Sequence, residues 1–90
     1  MTETINLMKQ RLAALSPEHI EIVDESALHA GHAGARSGGG HYQLTLISPA
    51  FAGQSSVARH RAIYQALGDL MTTRIHALSI TALAPDELGA

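Results

Sequence analysis

The chain has 90 residues, enough for one domain and too few for two, and a domain this small buries only about 60–65% of the surface its unfolded chain exposes. Its net charge of −2 excludes a nucleic-acid binder that relies on overall positive charge, so phosphate binding would need a local patch. The absence of cysteine excludes disulfides and thiolate ligands supplied by this chain. No apolar run approaches the roughly 18 residues of a membrane span, and MTETINLMKQ lacks the regions of a signal peptide, so a cytoplasmic setting is expected.

Residues 2–15 are expected to form a helix. Ile5, Met8, Leu12 and Leu15 recur at helical spacing on one face, Thr2 or Thr4 is the candidate cap, and Glu3 sits in the first turn. Ser16-Pro17 ends it, because proline pushes its predecessor out of the α region. HIEIVDES, from His19, alternates as a half-buried strand, with Ile20 and Ile22 on one face and Glu21 and Val23 on the other. A loop of roughly residues 26–40 follows, holding most of HAGHAGARSGGGH, in which glycine and alanine surround three histidines. HYQLTLIS then alternates again, with Tyr42, Leu44 and Leu46 opposite His41, Gln43 and Thr45, until Pro49 stops it. PAFAGQSS is a turn anchored by Phe51. Ser55 or Ser56 caps a second helix running to about Met71, whose apolar stripe is Val57, His60, Tyr64, Leu67 and Met71, with Ile63 and Leu70 beside it. RIHALSITAL is the last strand, with His76, Leu78 and Ile80 on one face and Ala77, Ser79 and Thr81 on the other; Pro85 ends it.

The order α-β-β-α-β implies an α+β fold of two layers, a three-stranded mixed sheet with both helices on one face. The crossover helix makes strands two and three parallel, and strands one and two are most simply antiparallel. Glu21, Gln43, Thr45, Ser79 and Thr81 line the open face. This topology brings the loop, the start of strand two and the start of strand three to one end of the sheet, so His29, His32, His41 and His76 converge. A structureless connection of this length is usually functional or disordered. Two readings of the histidines stand: a metal site, since imidazole suits Zn, Cu, Fe and Ni, or solvated loop residues and a hydrogen-bonded strand-end histidine. A histidine-only set is incomplete for most metals, which points to a site shared with a partner. The second feature is Arg59-His60-Arg61 in the first turns of the second helix. The arginines could contact phosphates or a partner's acidic groups, or form a solvated face around a packed histidine. That helix starts at the far end of the sheet from the loop. No nucleophile–base pair is evident, so no enzyme is expected.

DES followed by a His-containing loop, HYQLTLISPAFAG, RHRAIYQAL and IHALSI together resemble the BolA family over about residues 5–87, and the conjunction is far more specific than any one motif. The resemblance implies a single domain over residues 1–90 with a class II KH-like fold, monomeric alone and heterodimeric with a monothiol glutaredoxin. It implies a bridging 2Fe-2S cluster to which the glutaredoxin contributes its cysteine and a bound glutathione thiolate. The BolA-like partner contributes the histidine of the I-H-A-L strand, here His76. A second ligand comes from the loop after D-E-S, best matched by His29; His32 is an additional candidate, and His41 matches the histidine that starts strand two. Nitrogen ligation from a cysteine-free chain is compatible with a cluster whose other iron carries thiolates. The family is also described as DNA-binding transcriptional regulators of stress response and cell morphology, which would place Arg59, His60 and Arg61 at phosphates. A KH domain grips backbone with a G-x-x-G loop, whereas AFAGQSSV has one glycine and no cation, so DNA binding is expected to be weak.

Overall fold

The computed structural model describes residues 2–26 and 40–88. Helix α1 (Thr2–Leu12) continues into a 3-10 turn, Ala13–Leu15. Strand β1 (His19–Asp24), strand β2 (Gly40–Ile47), a 3-10 turn (Pro49–Phe51), helix α2 (Ser56–Leu67), a one-turn helix α3 (Leu70–Thr73), strand β3 (Ile75–Leu83) and a last 3-10 turn (Pro85–Glu87) follow. The sheet order is β1-β2-β3, antiparallel between β1 and β2 and parallel between β2 and β3, so the expected α+β topology is present. Among the described residues no helix is long and apolar enough to cross a membrane.

Alternation along β2 decides the layering. Tyr42, Leu44 and Leu46 are buried and pack with Met8 and Leu12 of α1, Phe51, and Ile63 and Leu67 of α2 in one core, which places both helices on one face. Glu21, Gln43, Ser79 and Thr81 are exposed on the other face, with Thr45 half-buried among them. Ser16 turns the chain out of the first helical segment in a left-handed conformation (φ 53°), and Ser48 fastens that turn by donating from Oγ to the Leu15 carbonyl at 2.6 Å. Thr4 is buried inside α1 and does not cap it.

Three local expectations are corrected. The second helix stops at Leu67 instead of near Met71, because Gly68 takes a positive φ of 56° and its N–H returns to the Tyr64 carbonyl. Arg11 donates to the Leu67 carbonyl at 3.0 Å and to Asp69 at 2.9 Å, sealing that end from α1. The stripe on α2 is also turned. Arg59, Ile63 and Leu67 are the buried set, whereas Val57 is 65% and Tyr64 42% exposed, so Val57, His60 and Tyr64 face outward. Finally, His76 does not share the face of Leu78 and Ile80: it is exposed, while its neighbour Ile75 is buried. A bulge pairs Gly40 with Ile75 but His41 with Ala77, leaving His76 as the extra residue. A bulge breaks the two-residue period and re-aims the side chain at its apex.

A candidate histidine site at one end of the sheet

The site begins with the backbone where β1 ends and β2 starts. The Glu25 N–H donates to the His41 carbonyl at 2.7 Å, and the His41 N–H donates to Ser26 Oγ at 3.1 Å. Ser26 closes a turn on Asp24, its own N–H donating to the carboxylate at 2.9 Å. Hydrogen bonds from the Ser26 side chain, and then from its backbone, hold the Asp24 carboxyl below its ordinary range. The serine thus ties the start of β2 to the end of β1 on either side of the connecting segment. On the other flank, the Gly40 N–H donates to the Arg74 carbonyl at 3.0 Å. Gly40 leaves room for the Tyr42 ring: a Cβ at residue 40 would stand 2.5 Å from it, so a side chain there would force the ring to shift.

This frame holds the His41 and His76 rings with centroids 5.1 Å apart and planes inclined at 46°. Register explains the meeting: both residues start parallel neighbouring strands, and the bulge turns His76 out of the core face toward His41. His76 is exposed; His41 is half-buried, with Nε2 shielded from solvent. A shallow pocket beside them is lined by Glu25, His41, Tyr42, Ala77, Leu78 and Ser79. Among the described residues no group of three or more His, Cys, Asp or Glu side chains is placed to hold a metal ion. His29 and His32 lie outside the described residues.

Arg59, His60 and Arg61 lie elsewhere, as expected from the topology. The Arg59 guanidinium donates to the Ala82 carbonyl at 3.0 Å, near the far end of β3 and roughly 20 Å along the strand from His76. Arg59 does not supply an available cation. Its side chain is 10% exposed, it makes two 2.7 Å bonds to the Glu87 carboxylate and one of 3.0 Å to the Gln54 carbonyl, and it stands 5.9 Å over the Phe51 ring. The guanidinium is a strut between α2, β3 and the last turn, fitted to carboxylate geometry by its planar fork. Of the three residues, His60 is half-buried and Arg61 exposed; they share a shallow groove with Val57, Tyr64 and Gln65. Sequence reasoning missed Glu87, because a single acid in the tail carries no signal of its partner.

That strut makes a pH prediction. Arg59, and next the Ala84 N–H, lower the Glu87 carboxyl from its ordinary 4.5 to about 2. A carboxyl depressed in the folded state stabilises fully above its unfolded value, and the contribution is lost as pH falls through the folded one. Thermal melts of the native chain should therefore lose stability progressively from about pH 4.5 to about pH 2. Glu87→Gln should start lower at neutral pH and decline less over the same window. Parallel pH profiles for the two proteins would contradict the assignment.

The comparisons with known proteins bear on this architecture. The family model described as BolA-like protein matches residues 12–87. The chain belongs to the BolA family. This BolA-like chain is 42% identical over 89 residues to a Sinorhizobium protein, "Uncharacterized protein in cobS 5'region", covering 97% of the chain and 94% of that protein. It is 40% identical over 68 residues to "DNA-binding transcriptional regulator BolA" of Escherichia coli, covering 76% of the chain but 62% of the regulator. Among solved structures, the BolA domain of SufE1 from Arabidopsis thaliana superposes with a TM-score of 0.80 at 37% identity, covering 98% of each chain. The BolA-like chain thus spans nearly the whole of one relative and less than two thirds of another.

Proposed function

We propose that this BolA-like chain is a non-enzymatic iron–sulfur partner that binds a monothiol glutaredoxin and co-ligates a 2Fe-2S cluster bridged between the two proteins. The observation that carries the reading is the 5.1 Å separation of the His41 and His76 rings at one end of the sheet. With metal–nitrogen bonds of 2.0–2.1 Å, two imidazoles on one tetrahedral metal have centroids roughly 5 Å apart. The donor chemistry fits as well: in one class of 2Fe-2S centre two histidines replace two cysteines on one iron. This chain has no cysteine, so the thiolates for the other iron come from the partner's cysteine and its bound glutathione. When bound, the cluster supplies a redox centre and a transferable iron–sulfur unit. The chain's part is to hold His76 on a strand and His41 on its neighbour. His41 ligates through Nδ1, or through Nε2 after its ring rotates into the open; His29 and His32 remain alternative second ligands. The test is visible absorption and circular dichroism of the chain alone and co-expressed with a monothiol glutaredoxin. The expected result is no cluster alone and one 2Fe-2S centre per heterodimer. Colourless complexes under anaerobic reconstitution would overturn the proposal.

A second reading, a DNA-binding regulator, is favoured by the name of the Escherichia coli relative. Here it rests on Arg61 and His60 alone, because Arg59 is engaged with Glu87. Binding on that surface should be weak and steeply salt-dependent, and Arg61→Ala should reduce the log–log salt slope by about 0.9. Tight binding at physiological salt that survives Arg61→Ala would place the DNA contact elsewhere.

A further inference from the structure

We propose that two copies of this chain bind one Zn(II) ion between them, each contributing His41 and His76, and that this metal-bridged homodimer competes with the glutaredoxin complex. The inference rests on the same reading of the two histidines as a ligand pair, but requires neither a cluster nor a glutaredoxin.

Three observations lead to it. The 5.1 Å centroid separation suits two imidazoles on one tetrahedral ion, the geometry of four-coordinate zinc. The described residues of one chain bring no third ligand to the pair, so among them a tetrahedral ion finds two donors, and a second copy offers the same two again. His76 stands where a second copy has access, exposed at the start of the edge strand β3, and His41 on the central strand β2 lies half-buried beside it. A two-fold axis through the ion satisfies all of this at once. Each copy presents the same pair, the four imidazoles close the coordination sphere, and the contact is isologous, so it ends at a dimer. Charge favours the same outcome, because a divalent cation between two chains of net charge −2 offsets their repulsion. In that dimer His76 is occupied and cannot serve a cluster, so zinc and the glutaredoxin exclude each other.

The experiment is sedimentation equilibrium of the metal-free chain titrated with Zn(II), with no glutaredoxin present. The sedimenting mass should double at about half an equivalent of zinc per chain and return to the monomer value with EDTA. Co(II) in place of zinc should give the intense d–d bands of tetrahedral coordination. His76→Ala and His41→Ala, verified as folded by far-ultraviolet circular dichroism, should remain monomeric under the same titration. The double variant His29→Ala with His32→Ala should still dimerise, which separates this site from ligation by the connecting segment. Zinc bound one per chain without a change in mass, or dimerisation that persists in His76→Ala, would overturn the proposal. A cluster-bearing heterodimer in a chain that zinc leaves monomeric would sink this inference alone. A zinc dimer in a chain that forms no cluster would support it and sink the glutaredoxin reading.

Discussion

His76→Ala is expected to abolish the visible circular dichroism of the 2Fe-2S heterodimer formed with a glutathione-loaded monothiol glutaredoxin. The bulge that leaves His76 unpaired also fixes where its ring stands, because β2 and β3 hold the residues on both sides in register. No other described histidine stands in for it: His60 lies on the outward face of α2, and His19 starts β1 at the opposite end of the sheet. The second ligand is less exclusive. Removing any one of His29, His32 and His41 should weaken the spectrum at most in part, since the others substitute, whereas removing all three together should be as damaging as losing His76. Because the His76 ring is exposed, its loss should change folding stability by no more than about 0.5 kcal/mol, so a lost spectrum reports ligation and not unfolding. Direct protein contacts can hold the pair together without a cluster, so the measurement is the spectrum at matched concentration and not complex formation. An unchanged spectrum in His76→Ala would falsify the assignment.

The largest effect on stability is expected at Phe51. Its ring is 1% exposed, sits on the turn between β2 and α2, and closes the core beneath Arg59. Phe51→Ala removes a large buried ring, leaves a cavity and withdraws the surface on which the guanidinium rests. The expected cost is about 3–5 kcal/mol. A chain of this length has a total stability of about 5–14 kcal/mol, so the variant keeps only part of it and in the lower range retains about 0–2 kcal/mol. Urea denaturation should show the loss in the midpoint, and melting should fall by more than about 10 °C. A loss below about 1 kcal/mol would mean that the turn is not part of the core.

The sequence by itself determined what local chemistry dictates. Alternation in HYQLTLIS chose the buried face of β2, Ser55 accepts from the Ala58 N–H as the cap of α2, and the helix between the last two strands imposed their parallel pairing. From that pairing alone, His41 and His76 had to reach the same end of the sheet. What the tertiary structure decided are matters of one residue or of distant partners. A bulge between β2 and β3 turned His76 away from the core, which no two-residue period encodes, since the extra residue is defined only against the neighbouring strand. Gly68 ended α2 four residues before Met71, because glycine adopts the positive φ that turns the chain toward α3. Arg59 reads in sequence as a surface cation beside Arg61. It became an internal strut because Glu87, 28 positions away, returns to its guanidinium once β3 has formed, and a buried charge persists only where such a partner meets it.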